Sequence, residues 1–253
     1  MIQSAEKFDG QVLELTFGPA PANILNEVLI AELTSTIRQA QKNPHTKLII
    51  LSGEGKHFSY GASVEEHAPI VVNKMLPGFH KMISDVLACP IPTMAKIRGL
   101  CLGGGFELAM ACTYLYAEDT SQMGIPEIQL GVFPPVAAAL LPFLIGNRAS
   151  EMILSGAKYK ATQLLDYGLL HTVVPGTELD AAVSKFVDTH VLPKSASSLR
   201  MAHQATRHSI NTEYKKHIPT LEKLYLENLM STKDAVEGIQ SFLEKRNAKW
   251  MDA

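Results

Sequence analysis

Cysteine is scarce in this chain. Its 253 residues include three, Cys89, Cys101 and Cys112, without a CxxC pair. An odd number at such spacing argues against a disulfide framework and for reduced, partly buried thiols in a reducing cytoplasm. HExxH and clustered Cys/His patterns are missing, so no metal site is expected. No apolar run reaches the roughly 18–20 residues that a membrane span needs. Residues 1–10, MIQSAEKFDG, have neither a signal-peptide apolar core nor an Arg-rich amphipathic pattern. Charge of one sign is not in excess. The net charge of −2 offers no basic face to nucleic acid and nothing to an acidic membrane surface. Internal repeats and low-complexity segments are also missing.

What remains is 46% hydrophobic and 19% charged, ordinary for a well-packed globular protein of one large domain, or one domain with an appendage. Residues 11–18, QVLELTFG, alternate as a strand does. In the next segment Leu29, Leu33, Ile37 and Ala40 recur at helical spacing, with Asn26 placed as an N-cap. KLIILSGEG (47–55) reads as a buried strand closed by glycines. VNKMLPGFHKMISDVLAC is helical, interrupted or started near Pro77-Gly78. IPTMAKIRG (91–99) and YLYAED are further strands, with helical FELAMAC between them. Such short alternation predicts an α/β core with mostly parallel strands. From about residue 195 the pattern becomes helical throughout. Pro193 and Pro219 are expected to divide it into separate pieces, and Ser231 with Asp234 resembles a capping box. The expected division is therefore a core over 1–194 and a helical region over 195–253.

Three stretches carry candidate chemistry. The first is CLGGGFELAM (101–110). GEGKHFS is not a phosphate-binding loop, because His57 follows Gly55-Lys56 and Ile50 stands where the first glycine belongs. The glycines of GLCLGGGFELA lack the GxGxxG spacing. Gly103–Gly105 can be a tight strand-to-helix turn. They can equally expose bare backbone N–H groups at a helix start, as an oxyanion hole requires. Glu107 then either complements a helix dipole or is a desolvated carboxyl among Phe106, Leu108, Ala109 and Met110, suited to proton transfer. The second stretch is MGIPEIQLGVFPP, where Glu127 sits between proline and an apolar run. Glu118 and Asp119 suit an exposed loop better. The third is GKHFSYGASVEEH (55–67), where Gly61 turns the chain and Ala62 and Ser63 lead into a helix. Glu65, Glu66 and His67 are expected on a solvated helix face, since adjacent acidic residues cannot share one side. Lys56 is either a surface charge or a phosphate contact.

Together these stretches resemble the crotonase (enoyl-CoA hydratase/isomerase) superfamily. The likeness runs through FSYGASVEE, the long segment from IRGLCLGGGFELAM to GVFP, ILSGAKYKATQLLDYGLLHTVVP and TKDAVEGIQSFLEKR, and covers most of residues 10–248. It implies an α/β, crotonase-like spiral of ββα turns with a C-terminal helical trimerisation region over 195–253. It also implies a cytoplasmic homotrimer or dimer of trimers that binds an acyl-CoA thioester and needs no further cofactor. By motif position the enolate-holding N–H groups fall on Ala62 and Gly104. The paired glutamates of the hydratases fall on Glu107, mainly for water activation, and Glu127, mainly for carbon protonation. Substrate-binding positions fall on Lys56, near the CoA phosphates, on Ser59, Tyr60, Phe106 and Phe133, and on Phe242 and Lys245, which can reach a neighbouring subunit's CoA. The implied activity is that of a hydro-lyase on a conjugated enoyl- or dienoyl-CoA.

The pattern departs from common hydratases where FPPVAAALLP (133–142) replaces a glycine-rich turn. This predicts a bulkier, drier wall against the acyl group. Tyr60 and Ser59 also replace small residues. GASVEEH together with GVFPP resembles the cyclohexa-1,5-diene-1-carbonyl-CoA hydratases of anaerobic aromatic degradation, which form a 6-hydroxycyclohex-1-ene product. A straight-chain enoyl-CoA hydratase or enoyl-CoA isomerase is the first alternative. A non-catalytic scaffold or RNA-binding homologue is the second, disfavoured by the two glutamates and the net charge.

Overall fold

A computed structural model describes residues 1–68 and 71–253. In chain order the elements are β1 (Ile2–Lys7), β2 (Val12–Phe17), α1 (Glu27–Ala40), β3 (Leu48–Gly53), α2 (Val72–Leu87), β4 (Thr93–Ile97), β5 (Leu100–Leu102), α3 (Gly104–Ala111), β6 (Tyr114–Glu118) and β7 (Gln122–Gly124). They continue with α4 (Pro135–Ile145), α5 (Arg148–Ser155), β8 (Lys158–Lys160), α6 (Ala161–Asp166), β9 (Thr172–Val174), α7 (Leu179–Phe186), α8 (Ala196–Lys223) and α9 (Lys233–Leu243).

Two sheets are built from alternate strands. The larger runs β1-β2-β3-β4-β6-β9 and the smaller β5-β7-β8. After β4 leaves the large sheet, β5 starts the small one; after β6, β7 returns to pair with β5. The chain thus winds as a spiral of ββα turns. Apart from the β1–β2 hairpin, the large sheet is parallel. Its middle strands are covered on both faces, which explains the unbroken Leu48-Ile49-Ile50-Leu51 run. Ile49 and Leu51 face the main core beneath α1, α2 and α3. Leu48 and Ile50 face the other way, onto Leu179 and Val183 of α7. β1, by contrast, is largely exposed and shows no apolar alternation.

Asn26 caps α1 as expected, accepting from Leu29 N at 3.0 Å. Three expectations change. Pro77 lies within α2 and Pro219 within a continuous 28-residue α8. Each stands where the carbonyl four residues back, of Asn73 or Lys215, belongs to an exposed residue, so water takes the bond the proline cannot make. At α9 the cap is Thr232, whose Oγ1 accepts from Ala235 N at 3.2 Å. Asp234 instead accepts from Met251 N and Asp252 N, both at 2.7 Å. Glu118 is no loose charge: it accepts from Gly99 N at 2.9 Å and pairs with Arg98 at 3.2 Å. Cys89, Cys101 and Cys112 are free and buried, and burial raises Cys89 to about 11 and Cys112 to about 12. Among the described residues, no helix is long and apolar enough to cross a membrane.

One side chain fixes the loop that leads to Ala62. Asn23 is fully buried. Its Nδ2 donates to the carbonyls of Glu54 (3.0 Å), His57 (2.8 Å) and Phe58 (3.2 Å). Its own carbonyl accepts from Ser59 Oγ at 2.8 Å, and that hydroxyl accepts from Gly61 N at 3.0 Å. Asn23→Ala should lower unfolding free energy by about 2–4 kcal/mol, because buried carbonyls lose their donor. A urea denaturation midpoint that falls with an unchanged slope is the expected reading.

Candidate active site

The site forms where the two sheets meet at the start of α3. Every residue of α3 is buried, as a helix apolar on all sides should be. Glu107 is the charged exception, 4% exposed, in the first turn. Gly103 precedes the helix with φ +49°, and a Cβ there would lie 2.6 Å from Glu127 Oε1. Glycine at 103 therefore serves two needs, a left-handed backbone and room for a carboxylate. At Gly104 a Cβ would come within 3.1 Å of Ala62 N, so the absence of a side chain lets the two backbone turns close on each other. Neither the Ala62 nor the Gly104 N–H donates to any described protein atom. For Gly104 this follows from its place as first residue of a helix.

The two glutamates differ in support. Glu107 Oε1 accepts from Ala137 N at 2.7 Å, a donor at the N-terminal end of α4. Burial raises its pKa to about 7, and the amides of Ala137 and Val136 oppose that rise. Glu127 sits in a single turn of 3-10 helix, Pro126–Leu130. The residue as a whole is half-buried, but its Oε2 is shut off from solvent and has no partner among the described residues. Burial first, and then the Glu107 charge, hold its carboxyl well above the usual carboxylate range. Two such groups facing one cavity do not both ionise near neutral pH. The charge settles on Glu107, which accepts from the start of α4, and the proton on Glu127, whose Oε2 has no donor and whose only backbone support is its own amide.

A cavity of about 80 Å³ is lined by Tyr60, Ala62, Gly104, Glu107, Glu127 and Phe133 among others. That is smaller than the ~300–1,000 Å³ of a typical ligand pocket, so it suits the head of a thioester with the rest outside. Six of the residues expected from sequence are thus brought together. Ser59 is not at the wall, because its hydroxyl is spent on the Asn23–Gly61 turn. Phe106 is fully buried in the main core behind the cavity. Lys56 is exposed on the loop before Tyr60, and Phe242 and Lys245 are exposed at the end of α9. Of the wall expected from 133–139, only Phe133, Pro134 and Pro135 face the cavity. Val136 and Ala137 are buried behind it, holding Glu107, because α4 begins there and turns its amides inward. Among the described residues, no group of three or more His, Cys, Asp or Glu side chains is placed to hold a metal ion.

Two polar cavity residues were not expected. His67 lines the wall; its Nδ1 lies 2.7 Å from Ser63 O. A carbonyl only accepts, so Nδ1 carries the proton and Nε2 the lone pair. Burial lowers its pKa, so the ring is neutral near pH 7. Glu66, expected beside it on a solvated face, instead accepts from Glu27 N at 3.1 Å, at the positive end of α1. The only sequence signal for His67 is its closeness to the turn at Gly61-Ala62. Tyr225, in the distant C-terminal part, also lines the cavity. Periodicity marks it as buried but cannot tell a core tyrosine from a cavity tyrosine.

Comparison with known proteins follows the same lines. The family description "Enoyl-CoA hydratase/isomerase" matches residues 7–253. A cyclohexa-1,5-dienecarbonyl-CoA hydratase of Thauera aromatica is 40% identical over 96% of this chain and 93% of its own. A probable enoyl-CoA hydratase of Mycobacterium bovis is 32% identical over 90% and 89%. Among solved structures, an enoyl-CoA hydratase of Bacillus anthracis superposes with TM-score 0.77 at 28% identity, covering 100% of this chain and 99% of that one. One of Mycobacterium avium subsp. paratuberculosis gives TM-score 0.86 at 24% identity, covering 99% and 98%, a likeness of fold alone.

A carboxyl whose pKa is higher folded than unfolded stabilises the fold fully below the unfolded value. That contribution is lost as pH rises through the folded value. Glu107→Gln removes the ionisation. The variant should match wild type near about pH 4 and exceed it by about 2–3 kcal/mol by about pH 8. Paired thermal melts across that range check it, and a gap that does not open between pH 4.5 and about 7 contradicts the placement of the charge.

Proposed function

The chain belongs to the enoyl-CoA hydratase/isomerase family, and from that premise we propose that it adds water to cyclohexa-1,5-diene-1-carbonyl-CoA, giving 6-hydroxycyclohex-1-ene-1-carbonyl-CoA. The observation that carries this reading is the pair of carboxyls at one small cavity, one accepting from the start of α4 and one whose buried Oε2 has no partner among the described residues. A hydration needs a base and an acid at once, and this pair supplies both at one pH.

Going from diene to product fixes the order of bonds. Charged Glu107 takes a proton as the water O–H breaks. The oxygen bonds to the ring carbon next to the thioester-bearing carbon. The displaced electron pair spreads over the thioester oxygen and the rest of the diene. Neutral Glu127 then gives its proton to the ring carbon opposite the new C–O bond, leaving one C=C conjugated with the thioester. A proton passing between the coupled carboxyls restores the starting state. The Ala62 and Gly104 N–H groups hold the thioester oxygen while it is negative, and being fixed backbone they need no reorganisation to do so.

The proline-lined wall suits a flat ring. Tyr60, 40% exposed at the rim and packed on His57 with ring centroids 5.2 Å apart, marks the way out. Lys56 on the same loop meets the CoA phosphates. The protein assembles as a homotrimer or dimer of trimers, a reading supported by exposed apolar side chains such as Phe143, Met201 and Phe242. Phe242 and Lys245 then reach a neighbour's CoA.

Glu127→Gln should lower kcat at least about 100-fold with the fold intact. A panel of cyclic and straight-chain enoyl-CoA esters should give fastest turnover on the cyclic diene. Faster turnover of crotonyl-CoA would overturn the ring assignment, and no turnover of any ester would point to a non-catalytic protein. Light scattering should find three or six times the 27.6 kDa of one chain.

A further inference from the structure

Tyr225 holds the least explained polar atom in the molecule. The residue is 1% exposed. It sits in a turn of π-helix, Leu224–Asn228, that interrupts the run from α8 towards α9, and such turns gather at functional places. Its ring packs edge-on against Phe133, with centroids 5.4 Å apart. Its hydroxyl is buried and has no partner among the described residues. A tyrosine recruited for packing alone would have its hydroxyl bonded, or would be phenylalanine, since an unpaired buried donor is costly. Tyr225 and Glu127 line one cavity, and each carries a buried polar atom without a partner. They do not bond to each other, so whatever satisfies them lies in the cavity.

We infer that the Tyr225 hydroxyl is a third group on the reacting oxygen, donating a hydrogen bond to the water that the two glutamates handle and to the hydroxyl it becomes in the product. The inference rests on the hydratase reading above. The chemistry agrees with it. A buried water makes about three hydrogen bonds. Two carboxyls, one charged and one protonated, account for two. The third partner must be able to donate to an oxygen that is giving up its proton. A phenol that stays protonated does so, and burial together with the single negative charge of the carboxyl pair keeps this one protonated far above neutral pH. The bond strengthens as the oxygen loses its proton to Glu107, so it acts on the transition state more than on bound substrate. Tyr225 itself gains and loses no proton in the cycle. It also gives the cavity a means to tell a hydroxylated acyl group from one without the hydroxyl, because the latter leaves the phenol unpaired.

Tyr225→Phe tests this, since it keeps the ring against Phe133 and removes one atom. The probes are the product ester, 6-hydroxycyclohex-1-ene-1-carbonyl-CoA, and its deoxy counterpart, cyclohex-1-ene-1-carbonyl-CoA, with dissociation constants from competition or calorimetry. The expected result is a loss of affinity for the hydroxy ester of about 10-fold and a change within about twofold for the deoxy ester, with kcat for hydration down about 10- to 100-fold. Unchanged deoxy binding also reports an intact fold. Equal weakening of both esters would make Tyr225 a wall residue and overturn the inference. So would a variant that hydrates and binds like wild type. If wild type hydrates only crotonyl-CoA, the same comparison is made with 3-hydroxybutyryl-CoA and butyryl-CoA. The ring reading then falls while the role of Tyr225 is decided by that pair. Wild type that hydrates neither substrate overturns the hydratase reading and this inference with it.

Discussion

Two carboxyls buried against one cavity cannot both be charged, and much of the surrounding structure bears on which one is. Glu107 lies within the first turn of α3 and receives an amide from the start of α4. Both helix ends favour the anion. Glu127 rides a short turn that brings its Oε2 no donor. The asymmetry is made by backbone, not by other charged side chains. This lets a protein of nearly balanced composition keep one proton and one negative charge side by side.

The backbone has a second use at the same place. Bare N–H groups at Ala62 and Gly104 come together because both turns avoid side-chain bulk and because Asn23 and Ser59 tie down the loop that delivers Ala62. Ser59 shows how a residue near a cavity can shape it without lining it. Its hydroxyl is committed to the shape of the turn. Phe106 is similar, anchoring α3 from the core side.

How far the sequence could be read follows from what its patterns measure. Periodicity found α1 and its cap, and the apolar run of β3, because each has a buried face long enough to repeat. It missed β5, β7 and β8, whose three residues each are too few to show a period, and β1, an exposed edge. It placed breaks at Pro77 and Pro219, because a proline's letter does not say whether the carbonyl it frees faces water. The glycines and Glu107 were legible only as alternatives until the surrounding motifs suggested a family likeness. Tyr225 stayed hidden because burial beside a cavity and burial in a core leave the same mark on a sequence, and His67 because the acidic pair before it reads as a solvated face. The stretch 133–139 was expected to be one wall. It proves to be a wall up to Pro135 and a helix start beyond, since the third dimension splits what the chain presents as continuous.

The order in which the cavity is assembled has a consequence for the protein's synthesis. The glycine turn and both glutamates precede residue 130, whereas β8 and β9 follow it and Tyr225 and Ile239 close the cavity from the far end of the chain. A growing chain therefore carries both carboxyls before the segments that enclose them have been made. Until then water can reach both carboxyls, so burial does not yet raise their proton affinity, and the bare Ala62 and Gly104 N–H groups are hydrated. The raised proton affinity of the pair, which comes first from burial, is acquired late, when the C-terminal segments enclose the cavity. The sharing of one proton by the pair is thus a property of the finished chain, and a ribosome-bound fragment that stops short of Tyr225 would hold two ordinary carboxyls.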